Sequence, residues 1–292
     1  MTFALARLSI ALINRTANWS MTARARLARL LGDLLWLVAL PRRHIALANL
    51  RACLPELPGR ERRALGRRLS RHLARGLLDH SVLWHGSREQ VEALVRVDGA
   101  EHLLDPRNRP LIMLAPHFVG LDAGGARLNT LVRGVSIYAQ QSNPVWDEQL
   151  LQGRRRFSDP LLIPRRGAAE LKQVLRALKD GLPLYYLPDM DLGETNSIFV
   201  PFFGVPAATI PMVSRLARAA GARVVMAVTE LSADGYVLHI EPPWTGFPGS
   251  SVEEDTARMN REIERWVRRL PDQYLWTHKR FKTRPPGAPP FY

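Results

Sequence analysis

A chain of 292 residues, 46% of them hydrophobic, is long enough to bury one large core and too apolar to be disordered. Its single cysteine, Cys53, excludes an internal disulfide. The formal charge of +14 and pI near 10.9 suit nucleic acid, an anionic membrane face, or an acidic protein or substrate. No zinc-finger or RNP-type motif is present, so nucleic acid is not an expected partner. Cations near an anionic leaflet gain about 1 kcal/mol each, which makes membrane attraction a sufficient reason for the excess.

Two apolar segments open the chain. Arg7 interrupts residues 2–13 and Asp33 falls within 30–40, so neither reaches the length of a spanning helix. The start lacks a signal-peptide cleavage pattern. Both segments are expected as interfacial or dimer-forming helices, with ordinary core helices as the alternative. Residues 1–40 are therefore set apart as membrane-associating helices, and 41–292 as one α/β domain with a mostly parallel central sheet.

A helix is expected over 60–84, where Leu65, Leu69, Leu73 and Leu77 recur every four residues. Arg62, Arg63, Arg67, Arg68, Arg71 and Arg75 share its remaining surface, as a solvated face or a docking face for an acidic partner. His72, His80 and His85 also fall there. No carboxylate or cysteine set completes a metal site with them, so structural or surface roles are expected. The apolar run 111–115 is a buried strand, followed by a helix over 118–131 and a strand over 135–139. A basic loop or helix continues to 157. A helix over 168–179 ends near Gly181, and a strand over 182–187 runs into Asp189. Residues 210–220 form a helix stopped by Gly221. Strands 223–228 and 236–241 flank the turn Asp234–Gly235. A helix over 255–270 turns Met259, Ile263, Trp266, Val267 and Leu270 inward. Strands alternating with helices indicate the mostly parallel sheet.

His117 stands just past the C-terminal end of the 111–115 strand, the edge where open α/β sheets bind ligands. Asp122 follows five positions later. On one helix that spacing is roughly 140°, so the pair shares no face. The two meet if His117 lies in the turn before the helix and Asp122 in its first turn. Asp122 then orients the imidazole, and a neutral histidine held by a carboxylate is prepared as a general base for a hydroxyl. A His and an Asp at this spacing also occur together by chance. Asp189 and Asp191 end the later strand and are candidates for substrate contact or for pairing with arginines; two aspartates alone make a poor metal site. Arg154, Arg155 and Arg156, with Arg165 and Arg166 nearby, are suited to phosphate or an acidic partner, Arg154 first, with a solvated loop as the alternative. Arg156 shares that assignment. The segment 200–205 is either a groove wall or core. No G-x-S-x-G, Walker A or G-x-G-x-x-G motif is present, and a nucleophilic serine hydrolase is not expected.

His117 and Asp122 in this setting resemble the HX4D motif of the lysophospholipid acyltransferase superfamily. Further segments resemble its lipid A branch, the late lauroyl and myristoyl acyltransferases. They are 42–50 (RRHIALANL), Asn143–Pro144 with Gly153–Arg154, 187–193 (LPDMDLG), 197–204 (SIFVPFFG) with 207–209 (AAT), and 274–285 (YLWTHKRFKTRP). The likeness covers nearly the whole chain. Many members carry Glu where this chain has Asp122, and the Glu-Gly-Thr-Arg block usual in glycerolipid acyltransferases is absent. The resemblance implies acyl transfer from acyl carrier protein to a lipid A precursor, without a cofactor or metal. It implies His117 as general base, Asp122 as its orienter, and Arg154, Arg156, Asp189 and Asp191 around the substrate. It also implies residence on the cytoplasmic face of the bacterial inner membrane. Transfer onto another glycolipid or aminolipid, or a catalytically inactive basic binding protein, are the alternatives.

Overall fold

The computed structural model describes residues 2–165 and 168–292. Helices α1 (Phe3–Asn14), α2 (Met21–Val38) and α3 (Leu40–Cys53) lead into the long α4 (Gly59–His85). The short α5 (Arg88–Leu94), β1 (Val95–Asp98) and α6 (Ala100–Leu104) follow. The alternating centre comprises β2 (Leu111–Leu114), α7 (Leu121–Leu131), β3 (Val135–Tyr138), α8 (Pro144–Arg154), β4 (Leu161–Pro164), α9 (Ala168–Lys179) and β5 (Leu184–Tyr186). An antiparallel hairpin, β6 (Ile198–Phe202) and β7 (Val205–Thr209), precedes α10 (Met212–Ala220), β8 (Arg223–Ser232), β9 (Gly235–Ile240) and α11 (Val252–Arg269).

The main sheet has seven strands in the order β1-β9-β8-β2-β5-β3-β4. Every pairing is parallel except β8 with β9, which are joined through the Asp234–Gly235 turn. The sequence expectation of a mostly parallel sheet flanked by helices therefore holds. β2 is central, and its period-two alternation serves both faces. Ile112 and Leu114 join one core with α9, α10 and α11, while Leu111 and Met113 join the other with α7 and α5. All four are buried, each contributing about 1.5–3 kcal/mol by leaving water. Leu114→Ala is expected to cost about 2–5 kcal/mol, because the sheet and helices close around it.

The leucines of α4 drift. A step of four residues overshoots a 3.6-residue turn by about 40°, so the stripe winds around the helix. Leu65 and Leu69 are buried, but Leu77 is exposed and Ala74 and Leu78 take over the inward face. Most of the arginines of α4 are occupied within the chain. Arg67 and Arg71 grip Asp33 of α2, Arg68 pairs with Asp272, and Arg62 donates to the carbonyls of Leu54 and Pro55. Arg24 and Arg75 converge on the buried Asp79, which also accepts from the Tyr236 hydroxyl. These ties fasten α2 to α4 and α4 to the sheet.

Candidate active site

His117 and Asp189 are brought together by strand register. β2 and β5 run parallel, with Leu114 opposite Tyr186 and the Ala115 N–H donating to the Tyr186 carbonyl. Each functional residue lies three positions past its strand's last paired residue, so the two chains leave the sheet side by side. His117 Nδ1 lies 2.7 Å from Asp189 Oδ1, and the His117 backbone N–H donates to Asp189 Oδ2 at 3.0 Å. The carboxylate fixes the tautomer with hydrogen on Nδ1. His117 Nε2 makes no hydrogen bond among the described residues. Burial disfavours the imidazolium, but the charge and hydrogen bond of Asp189, with Asp122 adding to them, outweigh it and raise the pKa of His117 above its ordinary value. Burial likewise acts to raise the pKa of Asp189. The attraction of His117 and the hydrogen bonds from it win, and Asp189 is held down at about 2.

The turn carrying His117 is clamped from the far end of the chain. The Leu275 N–H donates to the His117 carbonyl, the Val119 N–H donates to the Gln273 carbonyl, and Phe118 bridges to Tyr274. Asn49 of α3 in turn donates to the carbonyls of Trp276 and His278. The segments 42–50 and 274–285, remote in sequence, thus meet behind the histidine. α7 then starts hard against β8. A Cβ on Gly124 would lie 2.0 Å from Thr229 Oγ1, so only glycine permits this approach.

Asp122, in the first turn of α7, does not hydrogen-bond His117, which corrects the expectation that it orients the ring. Its Oδ1 accepts from Arg154 at 2.9 Å, and its Oδ2 lies 3.3 Å from His80 Nε2 on α4. Burial alone would raise the Asp122 pKa; Arg154 and His80 reverse this and hold it far below the ordinary carboxylate range. Asp122 reaches His117 through space, as a negative charge that favours the imidazolium. Arg154 arrives at the end of α8, whose start is capped by Asn143 accepting from Val145 and Trp146, with Pro144 at the first position. Gly153 lets α8 lie on α4, since a Cβ there would sit 2.3 Å from Trp84 Cδ1.

Other expected site residues have different work. Both oxygens of Asp191 are taken within the chain: Oδ1 accepts from the Gly193 N–H and the Thr283 hydroxyl, and Oδ2 from the Thr283 N–H. The Asp191 N–H donates to Nε2 of His278, a histidine whose pKa burial pushes down to about 4. Asp191 therefore fastens the strand-end loop to the C-terminal segment. Arg156 donates to the Leu83 and Gly86 carbonyls at the C-terminus of α4 and stacks on Phe157, an anchoring role rather than a substrate contact. Arg165 lines the cavity, and Arg166 lies outside the described residues. Of the 200–205 segment, Val200 and Phe202 are buried, and none of it borders the cavity. Sequence reasoning missed His80 as a site residue; its only sequence signal was its place on α4, which carried nothing to link it to Asp122.

His117, Asp122, His80 and Arg154 all face one cavity of about 950 Å3. Its apolar lining includes Met113, Leu128, Val132, Val135 and Leu162. A lining that is largely apolar, with several charged and polar groups among it, suits an amphipathic ligand. Among the described residues no group of three or more His, Cys, Asp or Glu could hold a metal ion.

The site is thus an α/β sheet edge where a histidine held by a carboxylate borders a largely apolar cavity. The chain matches the family described as bacterial lipid A biosynthesis acyltransferase over residues 4–283. It is 34% identical over 249 residues to the lipid A biosynthesis lauroyltransferase of Escherichia coli (strain K12), covering 84% of this chain and 80% of that protein. Identity to the palmitoleoyltransferase of the same strain is 31% over 256 residues, covering 86% and 82%. Identity to its myristoyltransferase is 30% over 268 residues, covering 90% and 81%. The chain belongs to the bacterial lipid A biosynthesis acyltransferase family, and its activity is acyl transfer onto a lipid A-type acceptor.

Proposed function

We propose that the protein moves a fatty acyl chain from the thioester of acyl carrier protein to a hydroxyl of a lipid A precursor, at the cytoplasmic face of the bacterial inner membrane. The observation that carries this reading is the His117–Asp189 pair, with Nδ1 held, Nε2 uncommitted and His117 lining the cavity. The acyl chain lies against the apolar lining of the cavity. His117 Nε2 takes the acceptor hydroxyl's proton as the oxygen attacks the thioester carbonyl, and the new C–O bond forms. The C–S bond then breaks, and the thiolate leaves with the proton from Nε2. Asp189 holds the ring and stabilises its charged form, while Asp122 adds a second negative charge.

Membrane association is supported by residues 1–40. Phe3, Leu5, Leu8 and Leu12 of α1 and Leu30, Leu34, Leu37 and Val38 of α2 are exposed, Leu30 to 71%. No helix among the described residues is long and apolar enough to cross a membrane; the exposed apolar side chains of α1 and α2 suit binding in the interface plane. The +14 charge adds attraction to an anionic leaflet, and the same charge suits an acidic carrier protein.

The test is acyl transfer by the purified protein from acyl-loaded carrier protein to a lipid A precursor, read by mass spectrometry. His117→Ala should lower turnover by about 10²–10⁴-fold while remaining folded. Near-wild-type turnover by that variant removes the mechanism, and no transfer by the wild type removes the donor and acceptor assignment. Cell fractionation should place the full chain with membranes, and recovery in the soluble fraction at low salt contradicts the proposed location.

A further inference from the structure

His80 faces two acceptors at once. Its Nδ1 lies 2.7 Å from the Gly76 carbonyl oxygen and its Nε2 lies 3.3 Å from Asp122 Oδ2. A neutral imidazole has one N–H and would turn its other lone pair on an oxygen; only the imidazolium donates to both. The charged groups around it are Asp122 from α7 and Arg154 from α8. Tyr185 of β5 stands beyond them as a neutral phenol, its pKa raised by burial and by Asp122. On its own helix the ring packs on Trp84 at 5.0 Å between centroids. Burial opposes the charge on His80, but the hydrogen bond and attraction of Asp122 and the Gly76 carbonyl prevail and raise its pKa. The same stretch of α4 abuts the catalytic turn, for a Cβ on Gly76 would lie 3.2 Å from the Val119 carbonyl oxygen.

We propose that His80 is a positioning residue for acyl transfer: an imidazolium that, opposite Arg154, pins the Asp122 carboxylate and so sets the field in which His117 takes up its proton. The inference rests on the acyl-transfer reading above. Asp122 then has one cation on each oxygen, which fixes its direction and tempers the negative charge felt by His117. Without the His80 charge, His117 feels Asp122 more strongly and holds its proton more tightly. At high pH, His80 loses the proton that faces Asp122, and the carboxylate is released from that side. Turnover should therefore fall at both ends of the pH range, the acid limb belonging to His117 and an alkaline limb to His80.

The test is the pH profile of kcat and KM for His80→Gln, whose amide still donates to Asp122 but carries no charge, with His80→Asn as a second variant should the first not fold. The expected result is a kcat lowered about tenfold, a cost typical of a slightly misplaced catalytic group. KM for the acyl donor should change little, the acid limb should move to higher pH, and the alkaline limb should disappear. A packing defect would lower kcat without moving either limb. Nitrogen NMR of the histidine-labelled wild type should show both ring nitrogens of His80 protonated at neutral pH, and this needs no substrate. A folded variant with both limbs unmoved, or a bare ring nitrogen on His80 at neutral pH, overturns the proposal. Failure of the wild type to transfer acyl chains would overturn the proposed function, while the NMR result would still decide the charge on His80.

Discussion

Asp189 and Asp122 stand near the same histidine and do different jobs. Asp189 ends a strand, is 1% exposed, and binds both the ring and the backbone N–H of His117. Asp122 starts a helix, turns 36% of its side-chain surface to the cavity, and is held by Arg154 and His80. Contact assigns the first to orientation, while distance leaves the second only its charge. The contrast shows that proximity along the chain is a poor guide to which carboxylate holds a histidine: the partner five residues away is displaced by one 72 residues away, because parallel strands pair at equal offsets.

The largest effect should come from the orienting side. Asp189→Asn removes the charge behind His117 and weakens its tautomer, and should lower kcat by about 10²–10⁴-fold in steady-state assays. A loss of only severalfold would end the assignment. On the other side, Arg154→Ala leaves Asp122 short of one cation and should lower kcat by about 10–100-fold, more than it raises KM. Arg154→Lys should recover part of the loss, since it restores charge without the guanidinium fork. Equal activity of the Ala and Lys variants would show that charge at 154 is irrelevant. Gly153→Val should push α8 off Trp84 at a cost of about 1–3 kcal/mol, visible as a lower Tm. The smallest change concerns the cavity lining rather than the charges. Gly125 lines the cavity, and a Cβ there meets only Tyr185 Cε1, at 3.7 Å. Gly125→Ala should be near neutral, whereas Gly125→Leu should shift the product, read by mass spectrometry, toward shorter acyl chains.

Much of the scaffold was legible because its period is strong. The helix over 168–179, the strand over 111–115 and the inward stripe of α11 stand where periodicity puts them, with Met259, Ile263, Trp266 and Val267 buried. β1 and β4 escaped notice because neither is an apolar run like that of β2: Arg96 and Asp98 break β1, and β4 is a short stretch ending in Pro164. The hairpin β6–β7 was hidden by its prolines, which argue against strands unless the strands lie outside a main sheet, as these do. In the site, His117 was legible from its strand end. The partnership with Asp189 was not, since it depends on which strands are neighbours in the sheet. The internal hydrogen bonds of Arg156 and Asp191 were not legible, because composition cannot separate a side chain that serves substrate from one spent on backbone groups.

The pH dependence of kcat/KM for the wild type, Asp189→Asn and Asp122→Asn tests the division of labour most directly. Only neutral imidazole accepts the proton, so activity falls as pH drops through the His117 pKa, which both carboxylates raise above the ordinary value near 6.5. Removing either negative charge lowers that pKa and moves the acid limb to lower pH. The account predicts the larger displacement for Asp189→Asn and a smaller one, in the same direction, for Asp122→Asn. An acid limb unmoved by Asp189→Asn but displaced by Asp122→Asn would contradict it.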